Sequence, residues 1–322
     1  MSSGSTPPQQ VEPAGVGGAT LATHGALLVV QVAFASQAVE AKLAMMPRAE
    51  GGEGISPAAI AMARMLAGAL FFQIFLRVLD PKGTRETLAP RDHAKLFGLS
   101  LLGITLNQAL FLYGLGRTTP FAAALLSATI PVCTALLSAL FGVEKLRART
   151  LIGFSIAVAG VLILTGVRSV DRGAVLIAAN SLLYSSYLVL GKGTIGRLGA
   201  LRVVAWIFTW GAVTFAPFGI LPLVHAVPEL HPRGIALIAY ILLMPTILAY
   251  SLNAWALGKS NPTLVTAYIY LQPLLAAVLS YVQLGIVPSR ATGISTAFIL
   301  AGVALVAFGN KRRQTIVSSP AP

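Results

Sequence analysis

The apolar runs of this chain are interrupted by uncharged polar side chains: Gln37, Asn107, Gln108, Asn180, Tyr184, Tyr187, Tyr250, Asn253, Tyr268 and Gln272. Amides and phenols both donate and accept hydrogen bonds, and the phenols add an apolar ring. That is chemistry for recognising a solute. The spacing supports it: Asn180, Tyr184 and Tyr187 fall at i, i+4 and i+7, one face of a helix. Tyr250 and Asn253 fall at i and i+3, and Gln31 and Ser36 accompany Gln37. Any one of these residues is equally well explained as an interhelical hydrogen bond of about 0.6 kcal/mol. As a set they predict a central polar path for a small molecule with polar and apolar parts.

One carboxylate, Glu40, falls inside an apolar run. A buried carboxylate tends to keep its proton, which makes Glu40 the candidate for proton coupling. Lys42 and Arg64 lie at similar depth and are its candidate ion-pair partners. A lasting pair would oppose carriage of a proton. The histidines, at 24, 93, 225 and 231, are scattered and show no metal-ligand spacing. Neither metal nor cofactor is expected. His24 and Cys133 read as an interfacial group and a packing group.

These residues need elements to hold them, and composition names the class. Only 10% of residues are charged, 56% are hydrophobic, and mean hydropathy is +0.80. A soluble domain is about 25% charged. The expected class is therefore an all-α polytopic membrane protein, its partner the lipid bilayer. The net charge of +13 reflects basic cytoplasmic loops, not nucleic-acid binding. Ten apolar segments are expected, near 22–44, 56–78, 96–116, 120–142, 150–167, 173–191, 203–224, 234–257, 263–285 and 292–309. The tail 1–19, rich in Pro, Gly, Ser and Gln, is expected to be disordered. The longest polar loop is 79–95, and a C-terminal tail spans 310–322.

With the N-terminus inside, the inner loops and C-tail hold 15 Lys and Arg residues and the outer loops 6; Lys42 and Arg64 lie within segments. The positive-inside rule then places both termini in the cytoplasm.

The run Phe121–Gly142 carries no charge and has Pro131 near its middle. A mid-helix proline removes a backbone hydrogen bond and clashes with the preceding turn, here near the carbonyl of Ser127. The stretch recurs 142 residues on. FLYGLGRTTP (111–120) aligns without gaps with NAWALGKSNP (253–262), and the register continues through Pro131/Pro273 and Gly160/Gly302. Five segments per copy is an odd number, so the copies enter the membrane from opposite sides. Two inverted five-helix repeats are expected, 20–167 and 172–309, and their matched breaks at Pro131 and Pro273 point to a midplane binding site. Around the breaks, Leu126, Ala128 and Ile130 correspond to Tyr268, Tyr270 and Gln272.

The fifth and tenth segments carry small residues four apart: Gly153 and Ala157, then Gly293, Ala297 and Ala301. Such spacing suits close helix packing, either within the chain or across a homodimer.

The stretch YGLGRTTPFAAALLSATIPVCTALLSALFGVEKLRARTLIGFSIAVAGVLIL resembles the EamA module of the drug/metabolite transporter superfamily. Its marks are Pro120, Pro131, Gly142, Glu144, Gly153 and Gly160. Arg64 resembles the basic residue of that family's second helix, and Ser36-Gln37 with Lys42 resembles its first-helix pattern. The resemblance implies ten helices, cytoplasmic termini and export of small metabolites through the plasma (inner) membrane. Two departures stand out: Ile286 replaces the acid at Glu144 in the second copy, and Glu40 stands where small or apolar residues are usual.

The expected function is a secondary carrier of small organic solutes such as amino acids. There is no GxxxxGK[ST] motif, so ATP is not the direct energy source. Two alternatives stay open. A carrier of phosphorylated or nucleotide sugars would need basic residues deep in the path, whereas Lys42 and Lys192 lie near segment ends. An intramembrane transferase would need a clustered acid/base pair.

Overall fold

The computed structural model describes residues 20–79, 88–142, 148–165, 172–259, 268–287 and 289–308. The tails 1–19 and 310–322, residues 80–87 of the loop 79–95, and Glu144 and Pro262 lie outside the described residues. Among those described, all regular structure is helical. Seven helices are long and apolar enough to cross a membrane, running from Leu21–Met45 through Pro232–Asn253. Shorter apolar helices occur at Leu151–Gly160, Tyr268–Leu284 and Gly293–Gly302. The chain is a multi-pass membrane protein.

The first half comprises α1 (Leu21–Met45), α2 (Pro57–Leu79), α3 (Pro90–Ser100), α4 (Leu106–Leu115), α5 (Pro120–Ser127), α6 (Ile130–Leu140) and α7 (Ala148–Thr165). The second comprises α8 (Arg172–Leu198), α9 (Ala200–Ala226), α10 (Pro232–Ile241), α11 (Ala249–Lys259), α12 (Gln272–Leu284) and α13 (Arg290–Phe308). π-helical turns, Leu101–Thr105 and Leu242–Leu248, join α3 to α4 and α10 to α11.

Helix α3 starts at Pro90, six residues before the expected 96. Proline at the first turn and Asp92 near it suit a helix start, since the missing N–H costs nothing there and the acid meets the positive end of the dipole. Helix α8 runs on to Leu198, past the expected 191, and stops only where Gly199 takes φ 83°.

The proline breaks are real interruptions. Residues between α5 and α6 take flattened backbone angles, with Ala128 at ψ −8° and Thr129 at ψ −13°. Pro131 then sits in the first turn of α6 and Pro273 in the first turn of α12, after a 3-10 turn at Tyr268–Leu271. Helix α8 bonds carbonyls on both sides of the first break. Ser181 Oγ donates to Leu126 O at 3.2 Å and Ser185 Oγ to Ile130 O at 3.0 Å. Side chains on neighbouring helices are what make such a break tolerable within lipid.

Close packing uses small residues, as helix association in lipid requires. A Cβ on Gly68 of α2 would lie 2.3 Å from the Phe208 ring of α9. Gly114 of α4 and Gly173 of α8 approach each other in the same way. Helices α7 and α13 pack along their length, with Gly160 against Ile299 and Phe298. Gly153 and Gly302 are buried, while Gly293, Ala297 and Ala301 are exposed.

Candidate functional site

A cavity of about 610 Å³ lies among α1, α4, α6, α8, α11 and the two proline breaks. Cavities of a few hundred to about 1,000 Å³ are the size that small-molecule ligands occupy. Gln37, Asn107, Gln108, Asn180, Tyr184, Tyr250, Asn253 and Gln272 all line it. Each comes from a helix that the sequence singled out, so the structure brings these eight polar residues onto one wall.

Tyr187 and Tyr268 lie elsewhere. Tyr187 is buried against Gly103 in the first π-helical turn, where the absent Cβ leaves room for its ring. The Tyr268 hydroxyl and His24 Nδ1 share a hydrogen bond of 2.5 Å at the start of α1.

Several wall residues are fixed by one another. Asn180 Nδ2 donates to Asn107 O at 2.7 Å, and Asn107 Nδ2 reaches Asn180 O at 3.4 Å, tying α4 to α8. Gln272 Nε2 donates to Gln31 Oε1 at 2.7 Å, tying the second break to α1. Tyr250 stands edge-on to Phe34 and Phe208. Gln108 is different: both its amide atoms are buried without a hydrogen-bond partner among the described residues, as is Thr134 Oγ1. Buried polar groups left unpaired are rare, and on a cavity wall they are poised for a ligand.

Arg64, expected as a partner of Glu40, lines the cavity and is only 2% exposed. Its Nε donates to Thr246 Oγ1 at 2.9 Å, and Thr246 donates in turn to Ile241 O. Thr246 sits in the second π-helical turn. Such turns often mark functional positions. Glu40 lies off the cavity wall and accepts from Gln283 Nε2 at 3.1 Å. Lys42 Nζ donates to the carbonyls of Leu115, Gly116 and Thr118, all within 3.1 Å. A cation there meets the negative end of α4.

Lys192 also lines the cavity. Asn180, Tyr184, Leu188, Lys192 and Gly196 repeat every four residues along α8, and all five face the cavity. The sequence signal was present, but the i+7 step to Tyr187 led off this stripe. At 1.5 Å per residue the stripe is about 24 Å long. Thr134 and Ser138 form a shorter stripe on α6.

At the Met45 end of α1 the polypeptide is closely tied. Arg48 Nη2 donates to Glu229 O at 2.6 Å, and Arg233 Nη1 to Gly51 O at 2.8 Å. At the opposite end Arg197 pairs with Asp92.

The sequence profile of the EamA-like transporter family matches residues 23–166 and again 171–308. A protein of Archaeoglobus fulgidus described as an uncharacterized transporter is 28% identical, over 64% of this chain and 73% of its own. A probable terminal-alkyne amino-acid exporter of Streptantibioticus cattleyicolor is 25% identical, over 84% of this chain and 90% of its own. The uncharacterized inner membrane transporter YedA of Escherichia coli is 26% identical, over 80% and 84%. One crystal structure superimposes with a TM-score of 0.62 at 20% identity, covering 95% of this chain and all of the other, a likeness of fold. The chain belongs to the EamA-like transporter family.

Proposed function

We propose that this chain is a secondary transporter that exports small organic metabolites, such as amino acids or related amphipathic solutes, by alternating access about the cavity. The observation that carries this reading is the wall itself. Polar side chains from both halves converge on one space beside both proline breaks. The cavity combines amides, phenols and apolar faces, which suits a solute with polar and apolar parts.

The proposed architecture is ten spans in two inverted five-helix halves. Matched local breaks support it. Helices α6 and α12 begin at Ile130 and Gln272, which are 142 positions apart. The π-helical turn Leu101–Thr105, shifted by the same interval, falls within Leu242–Leu248. The charge bias of 15 basic residues against 6 supports cytoplasmic termini in the plasma (inner) membrane. Relatives named as transporters, one of them an exporter, support carriage over catalysis.

The test is release from liposomes loaded with a pooled metabolite extract, followed by mass spectrometry. Selective release that falls at least tenfold in Gln272→Ala is expected. Monodisperse protein that releases nothing, and is stabilised thermally by nothing in the pool, would sink the reading. A second reading, a carrier of phosphorylated sugars, is favoured by one observation: Arg64 and Lys192 both line the cavity. Preferential release of sugar phosphates from the same pool would establish it.

A further inference from the structure

We infer that the solute leaves as a net organic monoanion, its carboxylate held by the Arg64 guanidinium, so that the membrane potential by itself drives export. The inference rests on the carrier reading and adds the solute's charge to it.

Arg64 is almost fully enclosed and lies on the cavity wall. A charged side chain within the membrane is costly, and it is found paired or facing a wet path. Among the described residues no Asp or Glu lines the cavity, and none pairs with Arg64. Its Nε bond to the neutral Thr246 fixes the side chain without compensating the charge. A guanidinium presents a planar fork of five N–H donors, and the natural complement is a carboxylate bound through both oxygens.

The rest of the wall restricts the solute further. Tyr250 and Tyr184 line the same cavity as Arg64 and add apolar ring faces to it. Gln108 supplies one free donor group and one free acceptor for the solute's polar atoms. Nothing acidic on the described wall answers an ammonium group, so among amino-acid-like solutes the wall suits those whose amine is masked and whose net charge is negative better than a free cation or zwitterion. A phosphate dianion would want a second cation beside the first. Lys192 is eight residues beyond Tyr184 on α8, about 12 Å along the helix axis.

Charge then decides the driving force. Across a membrane that is negative inside, a monoanion distributes outward by about 50-fold per 100 mV. Export of such a solute needs no proton. That agrees with the position of Glu40, which is off the cavity wall and bonded to Gln283.

The experiment uses the full chain in liposomes with a potassium diffusion potential set by valinomycin. Four probes are loaded separately: N-acetylphenylalanine (one negative charge), its neutral amide, zwitterionic phenylalanine, and glucose 6-phosphate. Efflux of N-acetylphenylalanine is expected to rise with inside-negative potential, and efflux of the amide to stay at background. Arg64→Gln should lower the anion's efflux at least about 30-fold, with partial recovery in Arg64→Lys. A variant-free measurement runs beside these: N-acetylphenylalanine, and not its amide, should raise the thermal midpoint of the wild type. Voltage-independent efflux of phenylalanine that survives Arg64→Gln would overturn the inference and leave the carrier standing. Preference for glucose 6-phosphate would do the same. If no probe moves or stabilises while the pooled extract shows selective release, the inference falls alone. If the extract is also silent, both fall.

Discussion

Thr246 accepts from Arg64 Nε and donates to Ile241 O, so one hydroxyl joins the buried guanidinium to the backbone of a π-helical turn. Removing the hydroxyl while keeping the shape leaves a buried N–H without an acceptor, at a cost of about 1–3 kcal/mol. Thr246→Val is therefore expected to lower the thermal midpoint. It should also weaken apparent affinity for the transported solute several-fold, with a smaller change in maximal rate, and Thr246→Ser should restore both. Unchanged affinity in Thr246→Val would mean that Arg64 is held by other contacts. At this scale the sequence told much about depth and less about direction. Arg64 and Glu40 were legible as charged groups at similar depth on the first two helices. Which way each points depends on helix rotation, which the π-helical turn at 242–248 and the cap that Lys42 places on α4 help to set. Neither has a signature in the residues themselves.

The proline breaks are the elements that put the site where it is. At the first, Pro131 opens α6, and serines one turn apart on α8 bond the carbonyls of Leu126 and Ile130 on either side of it. Each such bond is worth about 0.6 kcal/mol in a membrane protein. Ser185→Ala should thus lower the thermal midpoint only slightly. Pro131→Ala acts in the opposite sense, because it removes the steric reason for the interruption and lets α5 and α6 merge. The expected result is a thermal midpoint at or above that of the wild type, with transport reduced at least tenfold. A Pro131→Ala protein that transports normally would show that the break is only a packing device. Both prolines, and the differing residues at corresponding positions around them, were legible from the sequence match at an interval of 142 residues. Helix ends were harder. Helix α8 ignores Gly191, Gly193 and Gly196 and stops at Gly199, because only there does the backbone take a positive φ. Glycine content alone does not say which glycine will do so.

The molecule as a whole is asymmetric from end to end. Beside the Met45 end of α1, Lys42 holds three carbonyls at and just beyond the end of α4, and Arg48 and Arg233 tie the loop after α1 to Glu229 and to the first turn of α10. The cavity extends away from that end, along the α8 stripe to Gly196. With the orientation that the basic residues favour, the tied end is outside and the stripe descends toward the cytoplasm. Under the proposed orientation and mechanism this is the inward-facing state of the cycle. A single cysteine tests this directly. Gly196 lines the cavity, and a Cβ added there meets nothing within 4 Å, so Gly196→Cys fits without rearrangement. Made in a Cys133→Ser background, it carries the sole thiol of the chain. A membrane-impermeant maleimide should label it in inside-out vesicles and not in right-side-out cells, and a transported solute should slow the labelling. Labelling from the outside alone would reverse the proposed orientation. Equal labelling from both sides would mean that the ties at the Met45 end do not close it.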